Sequence, residues 1–140
     1  VMSTAVAGSF YDAWFRAGTI IARNEDAGTT LAHRYGYAWA PEPGDLTAPV
    51  IVNVTPIGMS GGAESEQLAY PQPTIEAASV VFDVVAMPVE TPLIRAARAA
   101  GREVITGGEV IALQAAEQFR LYTGVTLSPD DIAQAEAQAN

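Results

Sequence analysis

Cysteine is absent from this 140-residue chain, which removes disulfides, thiolate metal sites and a cysteine nucleophile from consideration. A single histidine, His33, cannot build a histidine-rich metal site, and any histidine-dependent triad would have to use it. No metal ligand set is therefore expected. Basic residues are scarce too, with 7 Lys plus Arg against 16 Asp plus Glu and a formal charge of −9. Such a chain repels a phosphate backbone, and its cations form no stripe that could release counterions, so no nucleic-acid partner is expected. No apolar run approaches the roughly 20 residues of a membrane helix, and the first residues carry neither a basic segment nor a cleavage-like site. The reading is a soluble, cytoplasmic protein with no membrane partner.

What is present favours folding. Hydrophobic residues make up 49% of the chain, and its 12 Gly and 9 Pro are spread among periodic segments instead of clustering. From Ser3 to Ala17 the residues Val6, Phe10, Ala13, Trp14 and Ala17 recur at helical spacing, with Gly18 placed to end the helix. Phe10, Trp14 and Phe15 read as core. Thr19 to Ala22 is a short β-branched run that suits a buried strand, and Glu25 to Tyr35 returns to helical spacing. Acids open that second helix, His33 and Arg34 close it, and Gly36 follows, so His33 reads as an exposed last-turn residue. Pro49 to Val54 and Ser79 to Val85 read as two more strands, the first entered from a turn-rich stretch at Pro41 to Asp45. A long polar loop, Gly58 to Pro73, lies between them. Thr91-Pro92 opens a helix that Gly101 stops, Val104 and Ile105 suggest another strand, and Val110 to Tyr122 a further helix. Ser128-Pro129-Asp130 starts a last, alanine-rich one. Strands alternating with helices over short links predict an α/β fold, a doubly wound, mostly parallel sheet in three layers, whose ligands sit at the carboxyl ends of the strands.

Two segments leave predicted strands at that edge. In Asn53-Val54-Thr55-Pro56-Ile57-Gly58-Met59, Asn53 and Thr55 can hydrogen-bond a turn or a ligand, and Gly58 permits close approach, though an ordinary strand-to-loop turn is the simpler account. In Asp83 to Pro92, Asp83 can satisfy backbone amides and Thr91 can serve as a helix cap alone. Arg23 follows the strand Thr19 to Ala22, where a cation meets either a ribose phosphate or solvent. Gln114 sits in an otherwise apolar helical stretch, so it either stands exposed or finds a polar partner.

Taken in order, NVTPIGM at 53–59, FDVVAMPVETPLIRAARAAG at 82–101 and GGEVIALQAAEQFRLYTG at 107–124 resemble the carboxyl-terminal half of shikimate dehydrogenases. DVVAMPVETP is nearer to the shikimate dehydrogenase-like branch than to the main enzyme, which implies weak or altered turnover. The resemblance implies a Rossmann-like NADP-binding domain over residues 1–124, followed by a C-terminal helix and tail at 125–140. It implies an NADP-dependent oxidoreductase of the shikimate pathway to aromatic amino acids, interconverting 3-dehydroshikimate and shikimate or a quinate-like analogue.

Carried over by position, the resemblance implies that Asn53, Val54, Thr55 and Met59 border the cofactor and that Val84 and Ala86 lie near the nicotinamide. Gly107 would offer its backbone to the nicotinamide amide, Val110 would pack on the ring, and Gln114 would reach a cyclohexene carboxylate substrate. Ala22-Arg23-Asn24 resembles the family's Asn-Arg-Thr, placing Arg23 against the 2′-phosphate of NADP. Ala86 stands where the family has a substrate-touching tyrosine, and Gly28 near a second basic residue, so NAD is the alternative cofactor. The family's first strand and glycine-rich turn are not found before the first helix. Its N-terminal substrate domain, with the catalytic Lys and Asp, is not in the sequence either, so no catalytic residue is assigned. The expectation is a partial chain, probed best together with that missing domain, and a homodimer is compatible with it.

Overall fold

The computed structural model describes residues 2–139. The chain divides into two compact units, Val1–Leu46 and Thr47–Asn140.

The first unit contains α1 (Met2–Asp12), β1 (Thr19–Ile21), α2 (Glu25–Tyr35) and β2 (Ala38–Ala40), with β1 and β2 paired in parallel. Asn24 caps α2 by accepting from the Ala27 amide at 2.9 Å. Glu25 and Asp26 occupy the first turn and His33 and Arg34 the last, matching the helix dipole. His33 is exposed, as its position in the sequence suggested.

Three sequence expectations change here. Helix α1 stops at Asp12 instead of running to Ala17, because Trp14 adopts a left-handed backbone with φ of 70°. The Phe15 amide then bonds the Phe10 carbonyl at 3.0 Å and the Trp14 amide bonds the Tyr11 carbonyl at 3.1 Å, a Schellman-type ending. The apolar contact that accompanies such endings is Phe10 on Phe15, with ring centroids 5.1 Å apart. Trp14 and Phe15 are consequently not core: Trp14 is 79% exposed and Phe15 is exposed as well, while Phe10 is partly buried. Strand β2 was not anticipated, because three residues reading Ala-Trp-Ala carry little strand preference and form a strand only by pairing with β1.

The second unit runs β3 (Val50–Asn53), α3 (Gln72–Ala77), β4 (Val80–Asp83), α4 (Pro92–Ala99), β5 (Glu103–Ile105), α5 (Gly107–Thr123) and α6 (Pro129–Ala139). Its strands form a parallel sheet in the order β3-β4-β5, with Asn53 opposite Asp83 and Phe82 opposite Ile105. Ile51, Ile75, Ala78, Val81, Leu93 and Ala97 make its core, drawn from two strands and the helices α3 and α4 with the residue after α3. Helix α3 takes in the last two residues of the expected loop Gly58 to Pro73 and the stretch after it that carries no expected element, since six residues opening on Gln72-Pro73 are too short to show a helical period. Helix α5 begins three residues before Val110, at Gly107. Its start is a capping box: the Thr106 amide donates to Glu109 Oε2 at 2.7 Å and the Glu109 amide to Thr106 Oγ1 at 3.3 Å. Every strand pair in both units is parallel, and the α/β class is the one the alternation of segments predicted. Among the described residues no helix is long and apolar enough to cross a membrane.

Candidate functional site

Parallel pairing in register brings the carboxyl ends of β3, β4 and β5 to one edge of the second unit's sheet. Three connections leave from it: 54–59, 84–91 and the step from Ile105 into α5. Of the residues singled out from sequence, Asn53, Val54, Thr55, Met59, Val84, Ala86, Gly107 and Val110 lie on or just beyond this edge. Gln114 follows two turns along α5 and is exposed. Arg23 belongs to the first unit, two residues after β1 and next to the Asn24 cap, and is also exposed.

Their environments differ. Asn53 is 2% exposed, and both ends of its amide are engaged within the protein. Its Nδ2 donates to the Ile57 carbonyl at 3.2 Å and to Asp83 Oδ1 at 3.0 Å, while its Oδ1 accepts from the Thr55 amide at 3.0 Å and hydroxyl at 2.6 Å. It therefore shapes the 53–57 turn from below. Thr55 is exposed, Met59 is 43% exposed, and Val54, Val84, Ala86 and Val110 are half-buried.

Asp83 closes β4 with no exposed surface. It accepts from Asn53 Nδ2, from the Val85 amide at 3.0 Å and from the Thr91 hydroxyl at 2.7 Å. Burial pushes its carboxyl above the ordinary range, and the hydrogen bonds from Thr91, Val85 and Asn53 oppose that shift. Thr91 also caps α4, accepting from the Ile94 amide at 3.2 Å. Sequence reasoning had the Asp83–amide turn and the Thr91 cap as separate local devices. Their union with Asn53 was missed, because nothing local signals a contact 30 residues apart.

Gly107 is buried against the loop after β4. A Cβ there would overlap the carbonyls of Val84 and Val85, so the side chain is excluded by backbone and not by a ligand alone. Gly28 is excluded from having a Cβ in a similar way, by the Trp39 ring, whose Nε1 donates to the Ala22 carbonyl at 3.1 Å. Trp39 was another residue that sequence reasoning passed over; its Trp flanked by alanines before Pro41 was the only signal.

Val84, Ala86, Val110 and Met59 leave apolar surface partly accessible at this edge, and Thr55 adds an exposed hydroxyl. Among the described residues no buried side-chain nitrogen or oxygen lacks a hydrogen-bond partner. Among the described residues no group of His, Asp or Glu is arranged to hold a metal ion.

No protein-family model matches the chain. A shikimate dehydrogenase-like protein of Haemophilus influenzae is 50% identical over 138 residues, covering 99% of this chain and 51% of that protein. A solved structure of a shikimate 5-dehydrogenase-like protein superposes with a TM-score of 0.94 at 50% identity, over 98% of this chain and 51% of the other. The shikimate 5-dehydrogenase of Thermus thermophilus, solved with NADP(H) and shikimate, superposes with a TM-score of 0.73 at 28% identity, over 87% of this chain and 46% of that one. The chain thus spans about half the length of the Haemophilus influenzae relative and less of several others.

Proposed function

Because the chain belongs to the shikimate dehydrogenase family over the half of those proteins that it spans, we propose that it is the cofactor-binding part of an NADP-dependent oxidoreductase. The whole protein would interconvert 3-dehydroshikimate and shikimate, or a quinate-like analogue. The observation that carries this reading is 50% identity sustained along 99% of the chain.

When bound, NADP supplies the hydride acceptor or donor at its nicotinamide. Met59, Val84, Ala86 and Val110 would flank that ring and keep water from it, and Gly107 would present backbone to its amide. Asn53 and Val54 would set the turn on which Thr55 borders the cofactor. Arg23 would hold the 2′-phosphate by a charge-assisted hydrogen bond, which NAD could not offer it. Gln114 would hydrogen-bond the substrate's hydroxyl or carboxylate. All seven basic residues of this chain are arginines, so a lysine that moves the proton would come from an N-terminal substrate domain. Purified full-length protein should reduce NADP when given shikimate or quinate, followed by NADPH absorbance. No turnover with either would remove the substrate assignment.

Ala86 favours a second reading, a non-catalytic dinucleotide-binding or sensing module, since a methyl group cannot hydrogen-bond a substrate. That module would bind NADPH in calorimetry yet turn over neither compound.

A further inference from the structure

The carboxylate of Asp83 touches neither solvent nor any open surface, so it cannot meet a substrate or cofactor directly. Burying an acid there is costly unless every oxygen is used, and here three donors converge on it from three places in the chain. Asn53 brings the turn after β3, the Val85 amide brings the loop after β4, and Thr91 brings the start of α4. The connection extends one step further, because the Val85 carbonyl lies against Gly107 at the start of α5. All three partners donate, so the position calls for a group that only accepts. An ionised carboxylate does this. An asparagine would keep the two bonds to Oδ1 but turn an N–H toward the Thr91 hydroxyl, leaving that hydroxyl's proton without its acceptor.

We propose that Asp83 is a positioning residue whose carboxylate locks the 53–59 turn, the 84–91 loop and the N-terminus of α4 into one frame, and so sets the groups that face the cofactor. This rests on the cofactor-binding reading above. Asp83 acts through Asn53, Val85 and Thr91 and takes no part in the chemistry. The frame predicts coupling carried by the carboxylate in addition to direct contact: Thr91 lies against Gly58 and the Val84 amide bonds the Asn53 carbonyl, but the Thr91 hydroxyl is linked to the 53–57 turn through Asp83 and Asn53.

The test uses the full-length protein with Asp83→Asn, Thr91→Val and Thr91→Ser, read by hydrogen–deuterium exchange without cofactor, by NADPH titration and by urea unfolding. Asp83→Asn and Thr91→Val should each speed exchange about tenfold in both 53–59 and 84–91 and weaken NADPH about tenfold, an effect of a charge-assisted bond lost from a buried site. Thr91→Ser, which restores the hydroxyl, should return both readouts to within about twofold of the unaltered protein, as one preserved hydrogen bond requires. Unchanged exchange at 53–59 in Thr91→Val overturns the proposal. So does faster exchange with NADPH affinity intact, or an affinity loss that merely follows a lower urea midpoint. Should Asp83→Asn not fold, the Val and Ser pair at Thr91 still decides. An unaltered protein that binds neither NADPH nor NADH would overturn the cofactor reading and this role with it. Exchange measured without cofactor distinguishes that failure from a missing frame.

Discussion

At the scale of single residues, Gly107 and Asp83 give the sharpest expectations. Gly107→Ala should destabilise the protein by about 1–3 kcal/mol, because its new methyl would press on the Val84 and Val85 carbonyls and backbone cannot swing aside as a side chain can. Urea unfolding measures this, and a midpoint equal to that of the unaltered protein would show the contact is relaxed in solution. Asp83 leads to a pH dependence. Its carboxyl is raised above the ordinary 3.8 by burial, so the folded state holds the proton more tightly than the unfolded one. Stability relative to Asp83→Asn is therefore greatest below about pH 4 and declines as pH rises through the folded value. The neighbouring Tyr70 hydroxyl, bonded to the Val52 carbonyl and pushed up to about 12, stays protonated throughout this range. Unfolding both proteins at pH 4 and at pH 7 checks the sign, and a difference that grows with pH would contradict it.

At the scale of elements, side-chain caps fix the starts of three helices, Asn24 for α2, Thr91 for α4 and Thr106 for α5. Thr106 serves α5 twice, accepting from the Glu109 amide and donating to the Glu109 carboxylate at 2.9 Å. Thr106→Ala should cost about 1 kcal/mol, the usual worth of such a cap, and circular dichroism with urea unfolding should locate the loss in a helix-linked transition. A loss of several kcal/mol would mean that Thr106 also anchors the exit from β5. The Thr-x-x-Glu pattern at 106–109 is visible in the sequence, as is the Thr91-Pro92 opening of α4. The end of α1 is not, since tryptophan carries no preference for a left-handed backbone and contacts such as Phe10 on Phe15, Arg16 over the Trp14 ring and the Tyr37 hydroxyl on the Phe15 carbonyl favour it there. Helix α3 and strand β2 escape for a simpler reason: six and three residues are too few for a periodicity to emerge.

At the scale of the whole molecule, the residues proposed for cofactor choice and those proposed for nicotinamide binding fall in different units. Arg23 belongs to Val1–Leu46 and the sheet edge from Asn53 to Val110 to Thr47–Asn140. Arg23→Ala should weaken NADPH about tenfold in fluorescence titration while leaving NADH within about twofold, because a charge-assisted bond to the 2′-phosphate exists only in the first. Equal losses for both cofactors would remove Arg23 from the 2′-phosphate. Gly28 sharpens this expectation, since Trp39 fills the space where a longer side chain at 28 would begin. By itself the sequence determined the α/β class and most strands and helices, through β-branched runs alternating with helical spacing and through the Thr91-Pro92 opening of α4, while the caps at Asn24 and Thr106 came from the structure. The motifs at 53–59, 82–101 and 107–124 named the family by their order, which needs no coordinates. Tertiary structure alone decided that Asn53, Asp83 and Thr91 form one buried assembly, that Gly107 and Gly28 are glycines for lack of room, and that Trp14 lies outside the core. The physical reason is common to all three: each depends on atoms distant along the chain or on a backbone turn that side-chain type does not encode, whereas periodicity and capping are properties of neighbours.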